Sequence, residues 1–243
     1  MRTLIISDIH ANLTALQTVL EDAVPFDRVW CLGDTVGYGP DPNECINLIK
    51  GLPGLVCVKG NHDAAILGEI TINSFNYEAR ASLQWLATEI SPENKDWLRN
   101  LEKTIVLENV TLVHGSPNSP VWEYVMDVRT AQENMDAFET PLCLVGHTHI
   151  PCVYVQESGE LKSTRLNALD INEPLVLTHK SILNPGSVGQ PRDHDPRASY
   201  LIHDDDGERW FYHRIPYDVK QVQNRIYAAG LPARHAQRLS QGW

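Results

Sequence analysis

The sequence predicts an α/β fold organised around a parallel sheet, and three observations carry that expectation. The first 60 residues alternate apolar runs with helical spacings in the order βαβαβ. The last hundred residues are mostly short apolar runs of strand type, which supply material for further sheet. The chain has 243 residues and no internal repeat, low-complexity stretch or Gly/Ser-rich linker, so a single domain over residues 1–243 with a large core is expected.

The elements follow in order. Residues 3–6 form the first apolar run. Asn12 is placed as a helix N-cap ahead of Leu13, Leu16, Val19, Leu20 and Ala23 at helical spacing. Residues 26–32 read as the second strand. Asp41, Pro42 and Glu44 then look like N-cap, N1 and N3 of a helix with Ile46, Leu48 and Ile49 on its buried side and Gly51 as its stop. Residues 55–58 make the third strand. Helices are expected over 77–89, in a short stretch after Pro92, and over 129–138. A hairpin is expected over 104–113, turning at Glu108 and Asn109, and a strand over 142–145. Later strands are expected at 152–156, 175–177, 181–183, 200–203 and 210–214, then a helix over 217–229 and a frayed tail from 236 to 243.

Composition excludes several classes. Net charge is −11, from 20 basic and 31 acidic side chains, and no basic stripe is visible, so stable nucleic-acid binding is not expected. No run reaches the roughly 18 apolar residues of a membrane span, and the opening does not read as a signal peptide. Cys31, Cys45, Cys57, Cys143 and Cys152 are odd in number and never spaced C-x-x-C. Reduced, buried thiols in a cytoplasmic protein are the expectation.

Five of these strands break into the same chemistry. Asp8 and His10, Asp34, Asn61 and His62, His114, and His147 and His149 each stand directly after an apolar run, or within a residue or two of it. One Asp or Asn after a strand is ordinarily a turn former or a cap, and one such His an ordinary surface histidine. Five together are different, because histidine is not a turn residue by mechanism and ligands bind beyond the carboxyl ends of strands in open α/β sheets. Carboxylate, carboxamide and imidazole without thiolate suit Mn, Fe, Zn, Ni or Co. Asp8 and His10 are two apart, as are His147 and His149, so an extended backbone would turn each pair to one side. A carboxylate bridging through both oxygens would hold two ions about 3.5–4 Å apart, a clamp for a phosphoryl group with hydroxide generated between them.

Asp8-Ile9-His10, Gly33-Asp34, Gly60-Asn61-His62-Asp63, His114-Gly115 and Gly146-His147-Thr148-His149 resemble the five ordered motifs of the calcineurin-like metallophosphoesterases. The resemblance spans residues 8–149. The run from Asn184 through Pro185, Gly186, Ser187, Val188, Gly189, Gln190 and Pro191 to Arg192 extends it, being similar to the Asn-Pro-Gly-Ser turn of small bacterial members. The resemblance implies a four-layer α-β-β-α sandwich of two mixed sheets flanked by helices. It also implies a dinuclear centre, with Asp8, His10, Asp34 and His149 on one ion and Asp34, Asn61, His114 and His147 on the other. His62 would be the general acid and Asp63 its candidate orienting partner. Manganese is the first expectation for both ions.

The implied activity is hydrolysis of a small phosphoester, a diester by preference, with a nucleotide-derived compound as one candidate. The alternative on the same site is a phosphomonoesterase, protein phosphatase or dinucleoside polyphosphate hydrolase; relatives of the last two kinds carry Gly-Asp-x-Val-Asp-Arg-Gly. Here the stretch reads Gly33-Asp34-Thr35-Val36-Gly37-Tyr38-Gly39, so the phosphate-gripping arginine is absent. Arg192, Tyr38 and Asn184 are the candidate substrate contacts, Arg192 having surface pairing with a neighbouring carboxylate as its alternative. Trp122 and Tyr124, just after His114, are read as core packing, with the lining of a substrate pocket as the alternative. The rival class is a binding scaffold without catalysis, and it would show broken ligand positions.

Overall fold

The computed structural model describes residues 1–107, 109–166 and 173–243. Two six-stranded sheets lie face to face. The first runs in the order β3 (Val56–Cys57), β2 (Arg28–Cys31), β1 (Arg2–Ile6), β11 (Ala198–Asp204), β12 (Arg209–Ile215) and β9 (Leu175–Val176). The second runs β4 (Thr104–Val106), β5 (Val110–Val113), β6 (Leu142–Leu144), β10 (Ser181–Asn184), β7 (Cys152–Glu157) and β8 (Glu160–Arg165). Strands β1, β2 and β3 are mutually parallel, as are β5, β6 and β10; the other pairings are antiparallel. The sandwich and its mixed sheets are as the resemblance implies.

Side-chain alternation decides the layers. On β1, Ile5 turns inward and packs with Leu112, Leu144 and Leu183 of the facing sheet. Leu4 and Ile6 turn outward onto Leu16 and Val19 of α1 (Leu13–Ala23), with Cys45 and Ile49 of α2 (Pro42–Lys50) beside them. Each fully buried Leu or Ile contributes about 1.5–3 kcal/mol, so the outward and inward faces of one short strand tie three layers together. The second sheet is covered on its outer face by α6 (Val128–Met135) through Ala131 and Met135. Helices α4 (Tyr77–Glu89) and α5 (Pro92–Arg99) close over α2 through Leu86, Ile90 and Leu98.

Several elements depart from expectation. A short helix, α3 (Asn61–Ile66), begins directly after β3; it has no apolar periodicity and is held by the Asp63 carboxylate accepting from the Gly60 N–H at 2.9 Å. Strand β8 is a polar edge strand that an apolar search passes over. Asp41 precedes α2 but forms no side-chain cap; its carboxylate accepts instead from the Leu13 N–H and from Arg225. The chain end is not frayed. After α7 (Val219–Ala228), helix α8 (Ala233–Leu239) buries Ala236 and Leu239 against Val222 and Ile226, and the Gly242 carbonyl accepts from the His194 N–H at 2.7 Å. The expected turn at Glu108 lies outside the described residues. No described helix is long and apolar enough to cross a membrane.

Candidate metal and active site

The parallel strands β1, β2, β3, β5 and β6 deliver their carboxyl ends to one edge of the sandwich, and the loops after them are laced together. The N–H groups of Asp8 and His10 donate to the carbonyls of Gly33 and Asp34, and the Gly146 N–H donates to the His114 carbonyl. The expected extended pairs are not extended. Asp8, His10, Asp34, His147 and His149 all have left-handed backbone, with φ of 53°, 49°, 51°, 64° and 60°. Each such non-glycine residue costs on the order of 1–3 kcal/mol, and strain of this kind persists where the surroundings over-determine it. The tight left-handed loops, not a strand pleat, turn these side chains to one side.

Seven side chains converge and are buried: Asp8, His10, Asp34, Asn61, His114, His147 and His149. The carboxylates are half committed. Asp8 Oδ2 accepts from the Ser7 hydroxyl at 2.6 Å and from the His147 N–H at 3.1 Å. Asp34 Oδ1 accepts from the His62 N–H at 2.9 Å. Asp8 Oδ1 and Asp34 Oδ2 are buried with no hydrogen-bond partner. Around Asp8 Oδ1 stand His149 Nε2 at 3.2 Å and His10 Nε2 at 3.7 Å. Around Asp34 Oδ2 stand His114 Nε2 at 3.3 Å and His10 Nε2 at 3.6 Å. Asn61 Oδ1 lies 3.0 Å and His147 Nδ1 3.2 Å from His114 Nε2. Both oxygens of Asp34 were expected to bridge; with Oδ1 tied to the His62 backbone, Oδ2 alone faces both groups.

The imidazoles are aimed from behind. His10, His114 and His149 each set Nδ1 against a backbone carbonyl, of Val36, Leu32 and Gln190 respectively, which leaves Nε2 for the centre. His147 is reversed, with Nε2 against the Trp122 carbonyl and Nδ1 inward. Orphaned carboxylate oxygens facing the inward imidazole nitrogens are costly as a bare arrangement and fit divalent cations. Among the described residues, three overlapping groups have geometry that could hold a metal ion: Asp8 with His10 and His149, His10 with Asp34 and His62, and Asp34 with His114 and His147.

Charge is arranged to match. Burial would raise the Asp34 carboxyl, but His114, His62 and His10 outweigh it and hold it well below the usual range. Asp8 is also held low, burial being overcome by His149 and His10. Burial pushes His147 and His149 down to about 3, helped by neighbouring His114 and Arg192 respectively. His114 goes the other way, to about 9, because Asp34 and Asp8 outweigh its burial. Burial also pushes His62 well below the ordinary histidine range.

His62 sits on the first turn of α3 and lines the same cleft, its ring 4.5 Å from that of Tyr38 and edge-on to Phe75. Asp63 does not stand behind it. The Asp63 carboxylate accepts from the Thr35 hydroxyl and from the Val36 and Gly60 N–H groups, stapling the Asp34 loop to α3. Gly37, at φ 119°, lies so close that a Cβ would come within 2.6 Å of Nδ1 of both His10 and His62. The aspartate that relatives of the other type carry at this point has no room here.

A cavity of about 180 Å³ opens on this cluster. Arg192 lines it and donates to the Tyr38 hydroxyl at 3.3 Å and the Gln190 side chain at 3.1 Å. Surface pairing does not claim it: Asp193 is bound to Arg214 and Asp195 to Arg197. Trp122 and Tyr124 line the cavity and are not core residues; they are 36% and 43% exposed. Their position just after His114 was the available signal. Asn184 is fully buried and faces away from the cavity, donating to the Gly146 carbonyl and Thr148 hydroxyl and so bracing the loop that carries His147 and His149. Helix α8 was missed altogether, yet its His235 ring lies 4.9 Å from Tyr38.

Residues 1–208 match a family model described as the calcineurin-like phosphoesterase superfamily domain. A metallophosphoesterase of known crystal structure from Sphaerobacter thermophilus is 42% identical, with a TM-score of 0.91 and coverage of 100% of this chain and 99% of that one. An uncharacterized protein of Methanocaldococcus jannaschii is 37% identical over 98% of this chain and 97% of its own length. A symmetrical bis(5'-nucleosyl)-tetraphosphatase of Erwinia tasmaniensis is 33% identical over 54% of this chain and 48% of that enzyme, so the match spans about half of its length.

Proposed function

The chain belongs to the calcineurin-like phosphoesterase superfamily, and from that premise we propose that it hydrolyses phosphodiesters at a pair of divalent transition-metal ions. The observation that carries the reading is Asp34 Oδ2, buried and unpartnered, 3.6 Å from His10 Nε2 on one side and 3.3 Å from His114 Nε2 on the other. In this reading Asp8, His10, Asp34 and His149 hold one ion, and Asp34, Asn61, His114 and His147 hold the second. Manganese is the proposed resident, and the donor set also suits iron, zinc, nickel or cobalt. Such ions, when bound, supply Lewis acidity to phosphoryl oxygens and lower the pKa of an attacking water.

The chain's own residues do the rest. His62 is placed to pass a proton to the departing ester oxygen, and the bond from its backbone N–H to Asp34 fixes its place. Burial keeps the free ring unprotonated near neutral pH, so in this reading it takes up that proton as the substrate binds. Gly37 lets the Asp34 loop close against the His62 ring. Trp122 fixes the direction of His147 through its carbonyl, which ties the aromatic loop to the donor cluster. Five buried free cysteines accord with a reducing, cytoplasmic setting.

Tyr38 in place of an arginine favours a monoanionic diester over a dianionic monoester. Arg192 lends support to a monoesterase reading as well, because it brings a guanidinium to the cavity from another segment. A metal-by-substrate screen separates the two. Matched p-nitrophenyl diesters and monoesters are compared with Mn, Fe, Co, Ni, Zn and Mg, and faster diester turnover is expected. Faster monoester turnover with every metal would reverse the preference, and no turnover of either would remove the activity.

A further inference from the structure

Part of the lining of the cavity that holds Arg192 is aromatic, and the proposed hydrolytic steps assign no role to its ring faces. Phe75 follows a single 3₁₀ turn at Ile72–Ser74, while Trp122 lies on the loop after β5. Two segments remote in sequence thus bring their rings together edge to face, with centroids 5.2 Å apart. Behind them Tyr124 stacks on His147 at 3.8 Å. Aromatic side chains each offer 150–250 Å² for burial, yet Trp122 and Tyr124 remain over a third exposed.

We propose that this wall is a nucleobase subsite: the substrate is a nucleoside phosphoester whose base lies against Trp122 and Phe75 while its phosphate points to Arg192 and the Asp34 cluster. The inference rests on the phosphoesterase reading for its chemistry but not for its geometry. Three features support it. Size is the first: a cavity of about 150 Å³ accepts one benzene ring, and the 180 Å³ here opens outward, leaving room for a larger planar group. Polarity is the second. A phosphate offers nothing to ring faces and a sugar only its C–H groups, whereas every base has a π-face that stacks on them. Arrangement is the third. The charged end is defined by Arg192, whose buried Nε has no partner, and by the histidine cluster. Phe75 and Trp122 supply the apolar part of the lining, next to the histidines, and Ser74 and Asn76 line the same cavity with polar side chains for a base edge. An anion that carries a planar ring matches that lining; a simple alkyl phosphate leaves its aromatic part unmatched.

Calorimetric titration of manganese-loaded protein tests this without requiring turnover. The probes are adenosine 5'-monophosphate, ribose 5-phosphate and inorganic phosphate, the first two differing only in the base. Stacking on one aromatic shelf corresponds to about 5- to 150-fold in affinity, so adenosine 5'-monophosphate is expected to bind at least about tenfold more tightly than ribose 5-phosphate. That advantage should collapse in Trp122→Ala, which keeps the carbonyl that orients His147, and shrink in Phe75→Leu, which keeps the packing volume. Equal affinity of the two probes for the wild-type protein overturns the proposal whatever the variants do. So does an advantage that survives in both variants. Absence of phosphoester hydrolysis, with the base preference intact, would instead count against the catalytic reading alone.

Discussion

The Nε2 atoms of His10 and His149 lie 3.0 Å apart in a buried cleft, each ring held from behind by a backbone carbonyl. Two imidazole nitrogens at that distance share one proton at most. A carboxylate oxygen with no partner, Asp8 Oδ1, stands 3.2 Å from the second of them. The same motif recurs at His114 and His147 around Asp34. Left-handed backbone on five of these residues brings their side chains together in an arrangement that fits cations.

General acid catalysis by His62 has a signature in the leaving group. In His62→Ala, turnover of alkyl diesters with poor leaving groups should fall about 10²–10⁴-fold, while p-nitrophenyl diesters lose far less. A series of leaving groups of graded pKa measures it. Equal losses across the series would remove the proton from His62.

The loop carrying Arg192 depends on a buried ion pair close to it in sequence. Asp193 and Arg214 are bound to each other, with side chains 4% and 1% exposed. Arg214 also donates to the Arg197 carbonyl at 2.7 Å. Asp193→Ala strands a buried guanidinium and is expected to lower the urea unfolding free energy by about 3–5 kcal/mol. A change under about 0.5 kcal/mol would show that the pair is not a brace.

Helix α8 predicts a pH dependence of stability. Burial pushes His235 down to about 4, against about 6.5 in the unfolded chain. Between those values the unfolded state holds a proton that the folded state lacks, so stability falls as pH drops through this window and is fully present above it. The full effect is up to about 3 kcal/mol. His235→Gln removes the titration, so its unfolding free energy should change less than the wild type's between pH 7 and pH 4.5. Parallel curves would contradict the assignment.

Much of this was legible before any coordinates. Strand ends at Asp8, Asp34, Asn61, His114 and His147 could be read because each follows an apolar run, and the order of the runs gives the parallel half of the first sheet. Its other half, β11, β12 and β9, comes from late strands that were expected in the second sheet. The local geometry could not. Asp8 and His10 share a direction through left-handed loops, and nothing in residue spacing distinguishes that from a pleat. Tertiary contacts were hidden as well: Asp63 serves Thr35 and Val36 rather than His62, and Arg192 reaches Tyr38 across 154 positions. Helix α8 was missed because Leu231, Ala236 and Leu239 are a sparse apolar set whose packing surface lies on α7.

The most direct test of the whole account is the metal count. Elemental analysis of manganese-supplemented, desalted protein should give about two ions per chain, and Asp34→Asn, which weakens the one oxygen facing both groups, should fall below one. A wild-type protein that holds no ion, or an Asp34→Asn variant that still holds two, would contradict a centre bridged by Asp34.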